Sequence, residues 1–80
     1  MYFVYILQSC KDSKYYIGST SDIKQRLRYH NSGRQRSTKH RIPFILVHYE
    51  ECVDKETAIK REREIKSYKG GMAFKRLIGM

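Results

Sequence analysis

Six consecutive positions near the start of the chain, Tyr2 to Leu7, are all apolar, and most are aromatic or β-branched. A run without polar interruption suits a central strand that is buried on both faces. A polar stretch, Gln8 to Lys14, breaks it, and β-like composition returns at Tyr15-Tyr16-Ile17-Gly18. These two segments are expected to form an antiparallel hairpin with a long loop through Ser9, Asp12 and Ser13, and with Gly18 closing the second strand where a side chain would be in the way.

Helical spacing takes over after the hairpin. Ser19-Thr20-Ser21-Asp22 offers several N-caps, Ile23 and Leu27 give a short apolar edge, and Asn31-Ser32-Gly33 supplies a stop. Gly33 to Arg41 contains no apolar residue, which predicts an exposed loop. Ile42-Pro43 then introduces a third strand over Phe44 to Tyr49, with proline at its start. Asp54 is expected to cap a second helix running through Ala58, Ile59 and Ile65. Gly70-Gly71 breaks the chain before a last helical piece, Ala73 to Ile78. Hairpin, helix, strand, helix, helix predicts an α+β fold: a small three-stranded antiparallel sheet flanked by helices.

Composition bounds this picture. Eighty residues suffice for a single domain spanning 1–80 with one modest core. No apolar run approaches the roughly 20 residues of a membrane span. The strand-like start lacks the features of a signal peptide, so the cytoplasm is the expected location. Cys10 and Cys52 are widely separated and lack zinc-knuckle spacing, which suits free thiols.

Charge changes the picture most. The formal net charge is +9, and so large a surplus of one sign implies a polyanionic partner. Between Asp22 and Glu50 there is no acidic residue, while Lys24, Arg26, Arg28, Arg34, Arg36, Lys39 and Arg41 all fall there. By composition the stretch is either a phosphate-gripping surface or a merely solubilising one.

Three sets of residues stand out against the pattern. With each helical residue advancing about 100°, and Ala58 taken as zero, Ile65 lies near 340° and Glu62 near 40°. Glu62 is therefore aimed into the apolar stripe, whereas Glu64 points to water. A carboxylate in that position calls for an ion-pair partner, for which an arginine is the obvious choice in so basic a chain, or for a metal. Arg26 and His30 are four apart and share one face of the first helix, pairing a planar phosphate-matching fork with a side chain that titrates near neutrality. Taken alone, they also fit a surface arginine and a histidine favoured by the helix dipole. Tyr5 and Tyr16 sit in adjoining strands, where buried tyrosines most often serve the core.

Together these residues resemble the GIY-YIG nuclease family, in particular its small stand-alone members. Phe3-Val4-Tyr5 stands for the first motif and Tyr16-Ile17-Gly18 for the second; Arg26 with His30 resembles the family's arginine-and-histidine helix; Ala58, Glu62 and Lys66 resemble the helix that carries its metal-binding glutamate. Two positions depart from the family pattern. Phe3 replaces the first glycine of the signature, and Met72 stands where many relatives have a polar residue after the Gly-Gly pair.

The resemblance implies an endonuclease that hydrolyses phosphodiester bonds in nucleic acid, with DNA the expected substrate. Glu62 would hold one Mg²⁺ or Mn²⁺, largely hydrated. Tyr16 would take a proton from the attacking water, and Tyr5 would orient that water or share the proton. Arg26 would offset charge on the phosphoryl oxygens, and His30 would assist proton transfer or steady the phosphate. Lys24, Arg28, Arg34, Arg36, Lys39 and Arg41 would bind the backbone. No organic cofactor is called for. The competing reading is a nucleic-acid-binding module with a decayed site; a basic membrane-surface protein lacks the required amphipathic helix.

Overall fold

The computed structural model describes residues 1–79. The sheet has the order β2-β1-β3, with β1 over Tyr2–Ser9, β2 over Tyr15–Thr20 and β3 over Phe44–Cys52, both pairings antiparallel. Three helices follow the expected positions: α1 at Ile23–Asn31, α2 at Lys55–Ser67 and α3 at Met72–Leu77. The expected α+β class and three-stranded antiparallel sheet are therefore present. No helix among the described residues is long and apolar enough to cross a membrane.

The central position of β1 explains its unbroken apolar run. Val4, Tyr5, Ile6 and Leu7 are each at most 1% exposed, because both faces of the strand are covered. Val4 and Ile6 face α2 and α3, where they join Cys52, Ala58, Ile65 and Phe74 in an apolar core. Tyr5 and Leu7 face the other way and pack with Phe44, Tyr16, Leu27, Ile42 and Leu46 beneath α1. Alternation along one strand thus feeds two different interiors.

Local signals fix the helix ends. The Asp22 carboxylate accepts the Gln25 backbone N–H at 3.0 Å, and the Asp54 carboxylate accepts that of Thr57 at 2.8 Å, so each satisfies a donor the helix itself leaves unpaired. Gly33, at φ +77°, adopts the left-handed backbone just past α1 that glycine accommodates without strain.

Four expectations need correction. Gly18 does not end β2, which continues through Thr20 because Phe3 and Val4 pair with Thr20 and Ser19. Pairing with β1 likewise extends β3 to Cys52, past the expected Tyr49, and a bulge opposite Ile6/Leu7 leaves Val47 as an extra residue. Residues 33–41 are not uniformly exposed: Lys39–Arg41 form a 3₁₀ turn, and Thr38 is 1% exposed. Lastly, Glu62 is not sunk in the stripe. It lies at its margin with 19% of its side chain exposed, and it pairs with Lys66 at 2.7 Å rather than with an arginine.

An arginine pair of the expected kind does exist elsewhere. Arg61 grips both oxygens of Glu50, at 2.8 and 3.0 Å, and also meets Glu64 and the Tyr68 hydroxyl. His48 approaches Glu50 at 2.8 Å. The Arg61 hydrogen bonds, helped by His48, hold the Glu50 carboxyl below its ordinary range, and the same carboxylate raises the Arg61 guanidinium further.

Candidate active site

The two tyrosines of the hairpin motifs meet on the α1 face of the sheet. Tyr5 pairs across the ladder with Gly18, and Leu7 with Tyr16, so all four side-chain positions lie on one face. The Tyr5 ring lies directly over Gly18: a Cβ there would come within 2.5 Å of the phenol oxygen and 2.7 Å of the ring carbon bearing it. Glycine is required at this point because the phenol occupies the space of a side chain. The Tyr5 and Tyr16 rings stack with centroids 6.3 Å apart.

His30 is delivered by the last turn of α1 and is fully buried. Its ring lies 4.6 Å from that of Tyr16, and its Nε2 is 3.3 Å from the Tyr5 hydroxyl. On the opposite edge, Nδ1 lies 3.3 Å from the Thr38 hydroxyl. Burial, and then the positive charge of Arg26, push the imidazole below its ordinary pKa, so His30 is neutral near pH 7 with a lone pair available. Burial raises the Tyr5 phenol, with adjacent Arg26 pulling the other way and the charges of Tyr16 and Glu62 adding to the rise.

Arg26, one turn before His30 on α1, links the buried group to the surface. Its guanidinium carbon sits 4.9 Å from the Tyr29 ring centroid, and its Nε is buried without a hydrogen-bond partner among the described residues. A buried donor left unpaired in this way is costly unless a ligand meets it. On its outer side lies an open cleft of about 580 Å³, lined by Thr20, Gln25, Arg26, Arg28, Tyr29 and Arg34 among others. The cleft therefore carries three guanidiniums, and of these Arg26 connects it to the buried Tyr5 phenol.

Glu62 comes from the other layer of the molecule. Helix α2 runs against β2, the edge strand that carries Tyr16 and Gly18, and the Glu62 carboxylate is near enough for its charge to act on Tyr5. Its partner is Lys66, whose side chain is 54% exposed and so can withdraw into water. A single half-buried carboxylate held by a retractable ammonium fits a hard, mostly hydrated divalent cation, which needs one or two protein oxygens. Among the described residues no group of three or more His, Cys, Asp or Glu side chains is arranged to hold a metal.

Of the side chains expected to grip phosphate, Arg28 and Arg34 line the cleft with Arg26, whereas Lys24, Arg36 and Lys39 are exposed elsewhere on the surface. Arg41 is engaged structurally: it bonds Asp12 at 3.1 Å, reaches the Tyr15 carbonyl at 3.4 Å and stacks over Phe44. Met72 is 67% exposed at the start of α3. Neither Thr38 nor the cleft residues Gln25 and Tyr29 stood out in the sequence. Thr38 shares its lack of charge with Gln35 and Ser37 in the same basic run, so no sequence signal distinguished it.

The GIY-YIG catalytic domain model matches residues 1–74. A UPF0213 protein of Haloquadratum walsbyi is 45% identical over 69 residues, covering 84% of this chain and 75% of that protein. One from Staphylococcus haemolyticus is 40% identical over 68 residues, covering 84% and 82%. A UPF0213 protein of Bacillus halodurans, solved in solution by NMR, is 37% identical, covers 91% of this chain and 90% of that one, and superposes with a TM-score of 0.48. The match over residues 1–74 includes both tyrosine motifs, the arginine–histidine helix and Glu62, and by it the chain belongs to the GIY-YIG family.

Proposed function

We propose that this chain is a metal-dependent endonuclease that binds nucleic acid, with DNA as its substrate, along the Arg26, Arg28 and Arg34 cleft and hydrolyses a phosphodiester at the cleft's inner end. The observation that carries the reading is the Tyr5 hydroxyl, which lies between a neutral buried His30 and Arg26, the arginine that lines that cleft. Such a pair can receive a proton without forming a free phenolate: Tyr5 takes the proton of the attacking water while passing its own to His30 Nε2. For this reason the base is assigned to Tyr5 with His30 rather than to Tyr16 alone. No hydrogen bond joins the Tyr16 hydroxyl to the described residues, which leaves it available to orient the water. Arg26 supplies donors to the phosphoryl oxygens, where preorganised charge is worth most. Glu62 would hold Mg²⁺ or Mn²⁺, which would supply positive charge to the phosphate and the departing 3′ oxygen.

The test is incubation of purified protein with end-labelled linear and branched DNA and RNA, in Mg²⁺, in Mn²⁺ and in chelator. Cutting should require the metal and should vanish in Glu62→Gln, while that variant keeps its melting temperature and its affinity for DNA. Two observations favour the alternative, a non-catalytic nucleic-acid-binding module: the exposed Met72 where a polar side chain was expected, and the Lys66 ammonium on Glu62. Tight, salt-sensitive binding with no cleavage under any of these conditions would establish it. A clear loss of stability in Glu62→Gln, with residual cutting, would make the carboxylate a structural partner of Lys66.

A further inference from the structure

We infer that Thr38 is a positioning residue that fixes the tautomer of His30, so that the proton sits on Nδ1 and the bare Nε2 faces the Tyr5 hydroxyl. The inference rests on the proton pathway proposed above, but its geometry stands apart from any activity. A neutral imidazole has one N–H and one lone pair, and the partners on its two edges decide which nitrogen has which. Both edges of His30 are occupied by hydroxyls, Tyr5 on Nε2 and Thr38 on Nδ1, each at 3.3 Å. A hydroxyl can donate or accept, so neither contact alone settles the direction.

The surroundings at both ends point the same way. The Thr38 hydroxyl also reaches the Gln35 carbonyl at 3.4 Å, which can only accept. A Thr38 proton directed to that carbonyl, which also accepts the Thr38 and Lys39 backbone N–H groups, leaves the Thr38 oxygen to accept from His30 and places the hydrogen on Nδ1. At the other end, His30 Nε2 is the acceptor within hydrogen-bond distance of the Tyr5 oxygen among the described residues; Arg26 beside it has donors only, and Tyr16 and Glu62 act on it through their charge. Tyr5 is 1% exposed, so its phenolic proton needs an acceptor inside the protein, and Nε2 is the one present. The chain of donors therefore runs from Tyr5 to His30 to Thr38 to Gln35.

Placement in the fold gives the residue a second consequence. Thr38 is the one buried side chain among residues 33–41, a segment whose Arg34 lines the cleft and whose Arg36 and Lys39 are exposed. Its backbone is tied to the same Gln35 carbonyl, at 3.1 Å from its own N–H and 2.9 Å from that of Lys39. The turn that aims the basic side chains outward thus also holds the hydroxyl that orders the imidazole.

Thr38→Val keeps the shape and removes the hydroxyl; Thr38→Ser keeps the hydroxyl. Ring ¹⁵N shifts of His30, measured by NMR on the intact protein, should report the Nδ1–H form in the parent chain and in Thr38→Ser, and a mixed or Nε2–H form in Thr38→Val. Single-turnover cleavage should fall about tenfold in Thr38→Val and recover in Thr38→Ser, less than the roughly 10²–10⁴-fold that the acid–base group itself contributes. An Nε2–H imidazole in the parent chain, or an unchanged Nδ1–H form in folded Thr38→Val, overturns the inference. Should Thr38→Val prove unfolded, the parent spectrum and that of Thr38→Ser still decide it. Absence of cleavage in every variant with the expected ¹⁵N pattern would count against the nuclease reading and leave the tautomer assignment standing.

Discussion

The two faces of the sheet are built from alternate residues of the same strand, yet they are made for different purposes. Toward α2 and α3, β1 contributes Val4 and Ile6 to an apolar cluster with Ala58, Ile65 and Phe74, and the nearby charges, Glu50 with Arg61, neutralise each other. Toward α1 it contributes Tyr5 and Leu7, and there the interior holds two phenols, an imidazole and a threonine hydroxyl, with an unpaired guanidinium nitrogen at its margin. A face of the first kind stabilises through removal of apolar area from water. In the second, each buried polar group is stabilised only as far as it finds a partner, and Arg26 Nε has none among the described residues. The contrast teaches that the main apolar core and the buried polar groups lie on opposite sides of a sheet only three strands wide, with Glu62 the one proposed site residue that comes from the α2 layer.

The sharpest way to break this contrast is a crossed pair of substitutions. Tyr5→Phe removes one buried hydroxyl and should slow single-turnover cleavage by about 10²–10⁴-fold while costing about 1 kcal/mol of stability. Ile65→Ala should do the reverse, costing about 2–5 kcal/mol with little change in the rate of the protein that remains folded. Tyr16→Phe completes the set. If it slows cleavage more than Tyr5→Phe does, the base is Tyr16, as the family resemblance alone implied. Equal losses of stability on the two faces would remove the distinction altogether.

A smaller effect separates the cleft from the rest of the basic surface. Arg28→Glu with Arg34→Glu should weaken DNA binding and lower the log–log salt slope by about 0.9 for each lost phosphate contact. Charge reversal at Arg41 should act mainly through folding, since its guanidinium is held by Asp12 and the Tyr15 carbonyl. A salt slope unchanged in the double variant would move the binding surface to Lys24, Arg36 and Lys39.

The smallest expected effect is on the pH dependence of stability. Burial and the Arg26 charge hold the native His30 pKa below its ordinary value, whereas the unfolded chain takes up that proton near about pH 6.5. On acidification the unfolded state therefore binds more protons than the native one, so stability is full above about pH 6.5 and declines as pH falls toward the native value. Melting temperatures between about pH 7.5 and 5.5 should show this decline in the parent chain and a flatter profile in His30→Gln. An identical profile in the two would mean that His30 is not the group responsible.

Local order carried much of the fold. The apolar run at Tyr2 to Leu7 marked a strand covered on both sides, Asp22 and Asp54 marked two helix starts, and Gly70-Gly71 marked the break before α3. Each is a matter of neighbouring residues, which is what periodicity and capping can sense. The site was legible only through its motif residues: Tyr5, Tyr16, Arg26 and His30 do converge on one face, and Glu62 stood out as an anomaly on its helix.

What the sequence by itself determined, then, was the order and type of the elements, the two-faced character of β1 and the concentration of positive charge between Asp22 and Glu50. The tertiary structure alone decided which partners those residues meet. The bulge at Val47 shifts the alternation of β3, so that Leu46 and Tyr49 lie on the α1 face while Glu50 turns toward Arg61. The same is true of Thr38 beneath His30 and of Arg41 against Asp12, whereas Glu62 with Lys66 is an i,i+4 pair that helix spacing already offered. The tertiary contacts among these join different elements, and their outcome depends on strand register and on the angle at which a helix crosses the sheet. A hydrophobic pattern specifies the face on which a side chain lies, but the atom it touches is set only when the other elements have packed against that face.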